Sequence, residues 1–99
     1  MAQFDFYDDP GGGGYLLDVQ ADLLDGLNTR VVVPLMPKKS APRSAAILNP
    51  LFVIDDAEFI LVTQFMAAIP AHELQRRAGT LAHQRYALLR AIDMVFVGL

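Results

Sequence analysis

The residues able to do chemistry are few, and their spacing argues against most of what they could do. Four consecutive glycines in DPGGGGY invite a phosphate-cradling loop. That chemistry needs a lysine followed by serine or threonine and a helix whose N-terminus faces the anion. Here the next segment, YLLDVQ, alternates like a strand, so the glycines read as a flexible hairpin loop. His72 and His83 are the only histidines and lie eleven apart, not at the i, i+4 spacing of a helical zinc pair. Capping or surface roles follow. Asp8-Asp9 and Asp55-Asp56 are adjacent carboxylates. Adjacent side chains on an extended chain point apart, so neither pair can flank a bond as acid and base; both read as turn residues. Ser40 and Ser44 lack a nucleophile-elbow context. No catalytic residue, metal-ligand set or cofactor motif emerges.

The elements that would position these residues read as mainly β with a helical end. Phe4 and Phe6 alternate with polar neighbours. Residues 15–25, YLLDVQADLLD, place Leu17, Val19, Ala21 and Leu23 on one face of a half-buried strand. TRVVVPL is a β-branched run expected to halt at Pro34, which has no N–H for a ladder. Residues 36–46 form a loop, and LFVI, the Asp55-Asp56-Ala57 turn and EFILVTQF form a hairpin. Four or five short strands at this spacing suggest an antiparallel sheet curled into a small barrel. A short helix is expected from Pro70 to Arg77, ended by Gly79. Thr80 then caps a longer helix with Leu81, Leu88, Ile92 and Val95 on its buried stripe, and Gly98 takes the left-handed position beyond it.

Composition bounds the possible roles. The chain has 99 residues, 54% of them hydrophobic, and a mean hydropathy of +0.33. One domain over 1–99 is expected, and a chain this small buries only roughly 60–65% of its unfolded surface. Apolar surface is left for a partner, most simply a second copy. The terminal MVFVGL sharpens this, because Met94, Val95, Phe96 and Val97 step about 100° each and encircle the helix. One core cannot cover them all. A net charge of -3 disfavours non-specific binding to nucleic acid. No apolar run approaches the ~20 residues of a bilayer span, and the N-terminal stretch lacks a secretory pattern. With no cysteine, a cytoplasmic setting is expected.

The order of YLLDVQADLLD, TRVVVPL, LNPLFVIDDAEFILVTQFMAAIP and LAHQRYALLRAIDMVFVGL resembles the CcdB toxins of plasmid-type toxin–antitoxin pairs. DVQADLLD, VVPL and the terminal Gly-Leu carry the resemblance, which covers nearly the whole chain and is weakest over 8–14 and 36–46. It implies an SH3-like barrel of twisted antiparallel strands closed by a C-terminal helix, assembled as a homodimer. It further implies a toxin that binds the DNA gyrase A subunit, traps the cleaved DNA complex without bond-making chemistry or cofactor, and is neutralised by an antitoxin with a disordered C-terminal arm.

Carried over by motif, the gyrase-binding positions become Leu23 and Leu24 from DLLD, and Asp93, Phe96, Val97, Gly98 and Leu99 from the chain end. Val97 stands where the family has tryptophan, Asp93 where it tends to have asparagine, and Ala82 and Tyr86 replace smaller polar residues. The Leu99 carboxylate, near the helix's orphan carbonyls, would attract a partner's arginine. The basic loop holding Lys38, Lys39 and Arg43 is a solvated linker or a contact for an acidic antitoxin arm. Two alternatives remain: a MazF-like endoribonuclease, for which Arg30, His83 and Thr63 are loose candidates, and an inactive relative that only binds antitoxin.

Overall fold

A computed structural model describes residues 1–98. Its described part is one antiparallel sheet of seven strands and one α-helix. The strands are β1 (Asp5–Asp8), β2 (Tyr15–Asp18), β3 (Thr29–Pro37), β4 (Leu51–Ile54), β5 (Ala57–Leu61), β6 (Ala67–Pro70) and β7 (Arg77–Thr80), and α1 is Arg85–Phe96. They run in the order β4-β5-β3-β2-β1-β7, with β6 also against β3. The mainly β architecture with a C-terminal helix agrees with the sequence reading, with more strands than the four or five expected.

β3 curls the sheet. On one edge it pairs with β2 over Val32 to Leu35. On the other it pairs with β6 over Thr29 to Val32 and then with β5 over Leu35 to Pro37. Pro34 does not halt the strand, because it falls between these two pairings. Its missing N–H points into the gap, while its carbonyl accepts from Val62 at 2.9 Å. A proline is tolerated where no ladder bond is required of it.

One face of the sheet and α1 enclose Phe4, Phe6, Leu17, Leu35, Leu61 and Leu88; a smaller cluster of Tyr7, Val32 and Leu74 lies apart from it. Leu88 is fully buried, and burial of one such side chain contributes about 1.5–3 kcal/mol. Ala91 joins it in the core, whereas Val95, expected on the buried stripe, is 39% exposed.

Three expectations for the second half of the chain fail for local reasons. Residues 70–77 form no helix beyond a single 3-10 turn at Ala71–Glu73. Arg77–Thr80 then pairs with β1, an edge that needed a partner. Gly79 therefore ends no helix. It lies against the Phe6 ring, where an added Cβ would sit 2.6 Å from Cζ. Thr80 does not cap α1: its Oγ1 accepts from Ala82 N at 3.1 Å just before a 3-10 turn at Ala82–Gln84 whose N-cap is Leu81, and α1 starts after that turn.

Turn chemistry is as read. Asp55 and Asp56 hold φ of 50° and 66° in the β4–β5 hairpin, the geometry of a tight primed turn. In the β1–β2 loop Asp9 Oδ1 accepts from Gly11 N at 2.8 Å. Gly12 and Gly13 have φ of +81° and +86°, and a Cβ on Gly14 would meet the Leu35 carbonyl oxygen at 2.2 Å. Three of the four glycines are thus required by backbone geometry in the hairpin loop that joins β1 to β2.

Candidate functional site: two outward apolar clusters and a buried arginine

DVQADLLD does not continue as a strand. β2 stops at Asp18, and Asp22–Leu24 form a 3-10 turn. The alternation that predicted Leu23 on an inner face is overturned by Asp18, which is itself fully buried. The buried carboxylate meets Arg30 of β3, only 1% exposed. Arg30 Nε donates to Asp18 Oδ2 at 3.0 Å and Nη2 donates to the same oxygen, while Nη1 reaches Asp25 Oδ1 at 3.0 Å. A guanidinium cannot shed its proton, so it can be buried only beside anions. Burial pushes the Asp18 carboxyl above the usual carboxylate range, against the opposing pull of Arg30 and of the Gln20 amide.

The same network fixes the whole 18–25 segment. Gln20 N donates to Asp18 Oδ1 at 3.0 Å. The Gln20 side chain donates to the Leu24 carbonyl at 3.0 Å and accepts from Val31 N at 3.1 Å. Asp22 Oδ1 accepts from Gln3 N at 2.7 Å. The turn is braced from beneath by polar groups, so its two leucines face out: Leu23 is 93% exposed and Leu24 47%. No fold energy is gained by leaving leucines in water; ordering them there prepares an apolar contact at low entropic cost.

The second cluster is the end of α1. Phe96 is 70% exposed and Val97 61%; Asp93 and Gly98 are also exposed. Gly98 takes φ +75°, as expected of a helix-ending glycine, and its N–H bonds the Asp93 carbonyl at 3.1 Å. Leu99 lies outside the described residues. The turn bearing Leu23 is tied through Gln3 to Arg85, whose Nη1 donates to Gln3 Oε1 at 3.1 Å. Arg85 begins the helix and Phe96 ends it, about 16 Å away at 1.5 Å per residue.

Lys38, Lys39 and Arg43 lie in the exposed loop after β3, where Lys38 Nζ approaches Glu58 Oε1 at 3.7 Å. The three loose nuclease candidates are committed elsewhere or apart. Arg30 is enclosed by Asp18 and Asp25, Thr63 is buried with its hydroxyl donated to the Leu48 carbonyl, and His83 sits in an exposed turn. Among the described residues no group of three or more His, Cys, Asp or Glu could hold a metal, and no helix is long and apolar enough to cross a membrane. The buried Arg30–Asp18 pair was missed in the sequence, where the alternation put Asp18 on the polar, outward face and gave no signal of its burial.

A family model described as CcdB protein matches residues 3–98. The chain belongs to the CcdB family. That membership makes it a toxin of a toxin–antitoxin system, and the curled antiparallel sheet with one C-terminal helix fits the family fold.

Proposed function

We propose that this CcdB-family toxin acts as a homodimer that binds the DNA gyrase A subunit and traps its cleaved DNA complex through surface contacts, with no catalytic residue and no cofactor of its own. Leu23 and Leu24 on one side, and Asp93, Phe96, Val97, Gly98 and Leu99 on the other, make the contact. The carrying observation is the outward display of Leu23 on a turn braced by the buried Arg30. Such an arrangement serves a partner rather than the fold. The exposed, encircling apolar side chains at the end of α1 support a dimer, in which the helix end of one copy can join that of the other.

An antitoxin with a disordered, acidic arm neutralises the protein, and Lys38, Lys39 and Arg43 are its proposed contact. In cells induced to make the protein, cleaved DNA–gyrase complexes should accumulate. Degraded transcripts with intact DNA would replace this reading with a ribonuclease. Val97, where relatives have tryptophan, favours one further reading, an inactive relative that only binds antitoxin; unimpaired growth on induction would establish it.

A further inference from the structure

The strand order ends at β4 and β7, and the two edges differ. At β7, Arg77 pairs with Tyr7 and Gly79 with Phe6, which leaves Ala78 as a bulge. A bulge and an arginine both keep a second strand off an edge. β4 has neither. Its residues Leu51-Phe52-Val53-Ile54 include no charge, glycine or proline, and they run in unbroken register along β5. Phe52 and Ile54 join the core, so Leu51 and Val53 point to the other face of the sheet, where they are 39% and 64% exposed. The backbone alternates in the same way. Leu61 N donates to the Pro50 carbonyl at 3.0 Å, so bonded pairs with β5 fall at Pro50, Phe52 and Ile54, and Leu51 and Val53 turn their N–H and C=O groups to the open edge. Among the described residues no other strand or loop bonds to them. Charge is opposite at the two ends of this strand. Asp55 and Asp56 follow it. Before it, Asn49 Oδ1 accepts from Ala45 N at 3.0 Å, which ties the exposed loop carrying Arg43 to the strand's entry.

We infer that the β4 edge binds the β4 edge of a second copy, antiparallel, about a twofold axis at Phe52. In that register Leu51 lies opposite Val53 of the second copy and Val53 opposite its Leu51. The edge-facing groups then form two bonded pairs, each exchanging both hydrogen bonds, and the two leucines and two valines meet on the outer face of a continuous sheet. Asp55 lies opposite Asn49, and Asp56 opposite Leu48, so each acidic turn meets the base of the loop that carries Arg43. A strand of any chain could satisfy the backbone, but this edge is complementary to itself in apolar surface and in charge, as an isologous contact must be. The contact uses neither α1 nor Leu23 and Leu24 and does not depend on the gyrase reading. Together with the helix-end contact, it links dimers into larger assemblies.

The test uses the full chain, which has no cysteine of its own. Leu51→Cys and Val53→Cys proteins are mixed under mild oxidation. Opposite residues of a bonded pair have Cα atoms about 5.5 Å apart, within disulfide reach, whereas the diagonal approach of one Leu51 to the other, or one Val53 to the other, is about 7–8 Å and outside it. The mixture should therefore form covalent dimers about tenfold faster than either variant alone; equal rates would overturn the inference. Sedimentation of the wild type, Val53→Lys and Phe96→Asp then reads the assembly, with unfolding midpoints to confirm the fold. Val53→Lys should weaken association through this edge about tenfold or more, since it removes an apolar contact and adds an edge lysine, and its midpoint should not move because Val53 is exposed. Association of Val53→Lys within about twofold of wild type would sink the inference. Dimers lost in Val53→Lys but kept in Phe96→Asp would uphold it and remove the helix-end dimer instead. Amide exchange at Leu51 and Val53 that stays fast at every protein concentration would overturn it and leave the edge to a strand from a different chain.

Discussion

Arg30→Met keeps most of the side chain's apolar stem while removing the guanidinium that Asp18 and Asp25 share. Asp25 is more than half exposed and can return to water, but Asp18 is fully buried and cannot. Leaving a buried charge without its partner costs about 3–5 kcal/mol, a large share of the ~5–15 kcal/mol that holds a domain folded. The cost should depend on pH, with a definite sign. Burial already raises the Asp18 carboxyl, and without Arg30 its folded pKa moves further above the unfolded value of about 3.9. Below the unfolded value both states hold the proton and the charge penalty vanishes. As pH rises toward the folded pKa, the unfolded chain ionises freely while the buried group must either keep its proton or ionise in a dry site, so stability falls. Urea unfolding of Arg30→Met and wild type at one protein concentration, at pH 4, 5.5, 7 and 8.5, should show the deficit growing with pH. Adding Asp18→Asn, which keeps an acceptor for Gln20 N, should recover part of it at neutral pH. A deficit below about 1 kcal/mol, or one flat across pH, would refute the claim that Arg30 is the counter-charge of a buried carboxylate.

Leu23→Asp should leave the unfolding midpoint within about 0.5 kcal/mol of wild type, since the side chain is almost wholly exposed, yet reduce gyrase A binding and toxicity together; loss of the fold instead would mean that Leu23 is covered in the folded protein. Val97→Trp adds the broad π face of the family's tryptophan and should tighten gyrase A binding by about 1 kcal/mol, or roughly fivefold, read by the same binding assay. Deleting Val97 to Leu99 should abolish toxicity with circular dichroism and dimerisation retained. Gly14→Ala should destabilise strongly, because its Cβ would strike the Leu35 carbonyl oxygen at 2.2 Å, while Gly11→Ala, whose Cβ would lie 3.3 Å from a turn side chain, should be far milder.

Where side-chain pattern and local structure answer to the same force, reading residues in order was enough. The β4–β5 hairpin follows from two short apolar runs around Asp55-Asp56, the left-handed Gly98 from a glycine past a helical stripe, and the family from motifs in a fixed order. The surplus of apolar residues in MVFVGL also led directly to an exposed end, because helix geometry alone forbids one core from covering four successive side chains. Three-dimensional pairing decided the rest. Arg77–Thr80 is a strand because β1 had a free edge beside it, a force that propensity does not register. Pro34 stays in β3 because two partner strands happen to change over at its position.

The candidate site divides the same way. Its residue types were legible, since Leu23, Leu24, Phe96 and Val97 stand out in sequence as apolar residues in recognisable motifs. Their presentation was not. Alternation put Leu23 inside, and only the tertiary structure, by burying Asp18 against an arginine twelve residues away, turned the following residues out of the strand. A buried ion pair forms when two distant segments meet in a water-poor interior, and the strength of that bond depends on the dielectric around it. Local sequence can name both charges. It cannot say that they will meet where water is absent, and that meeting is what turns the leucines outward.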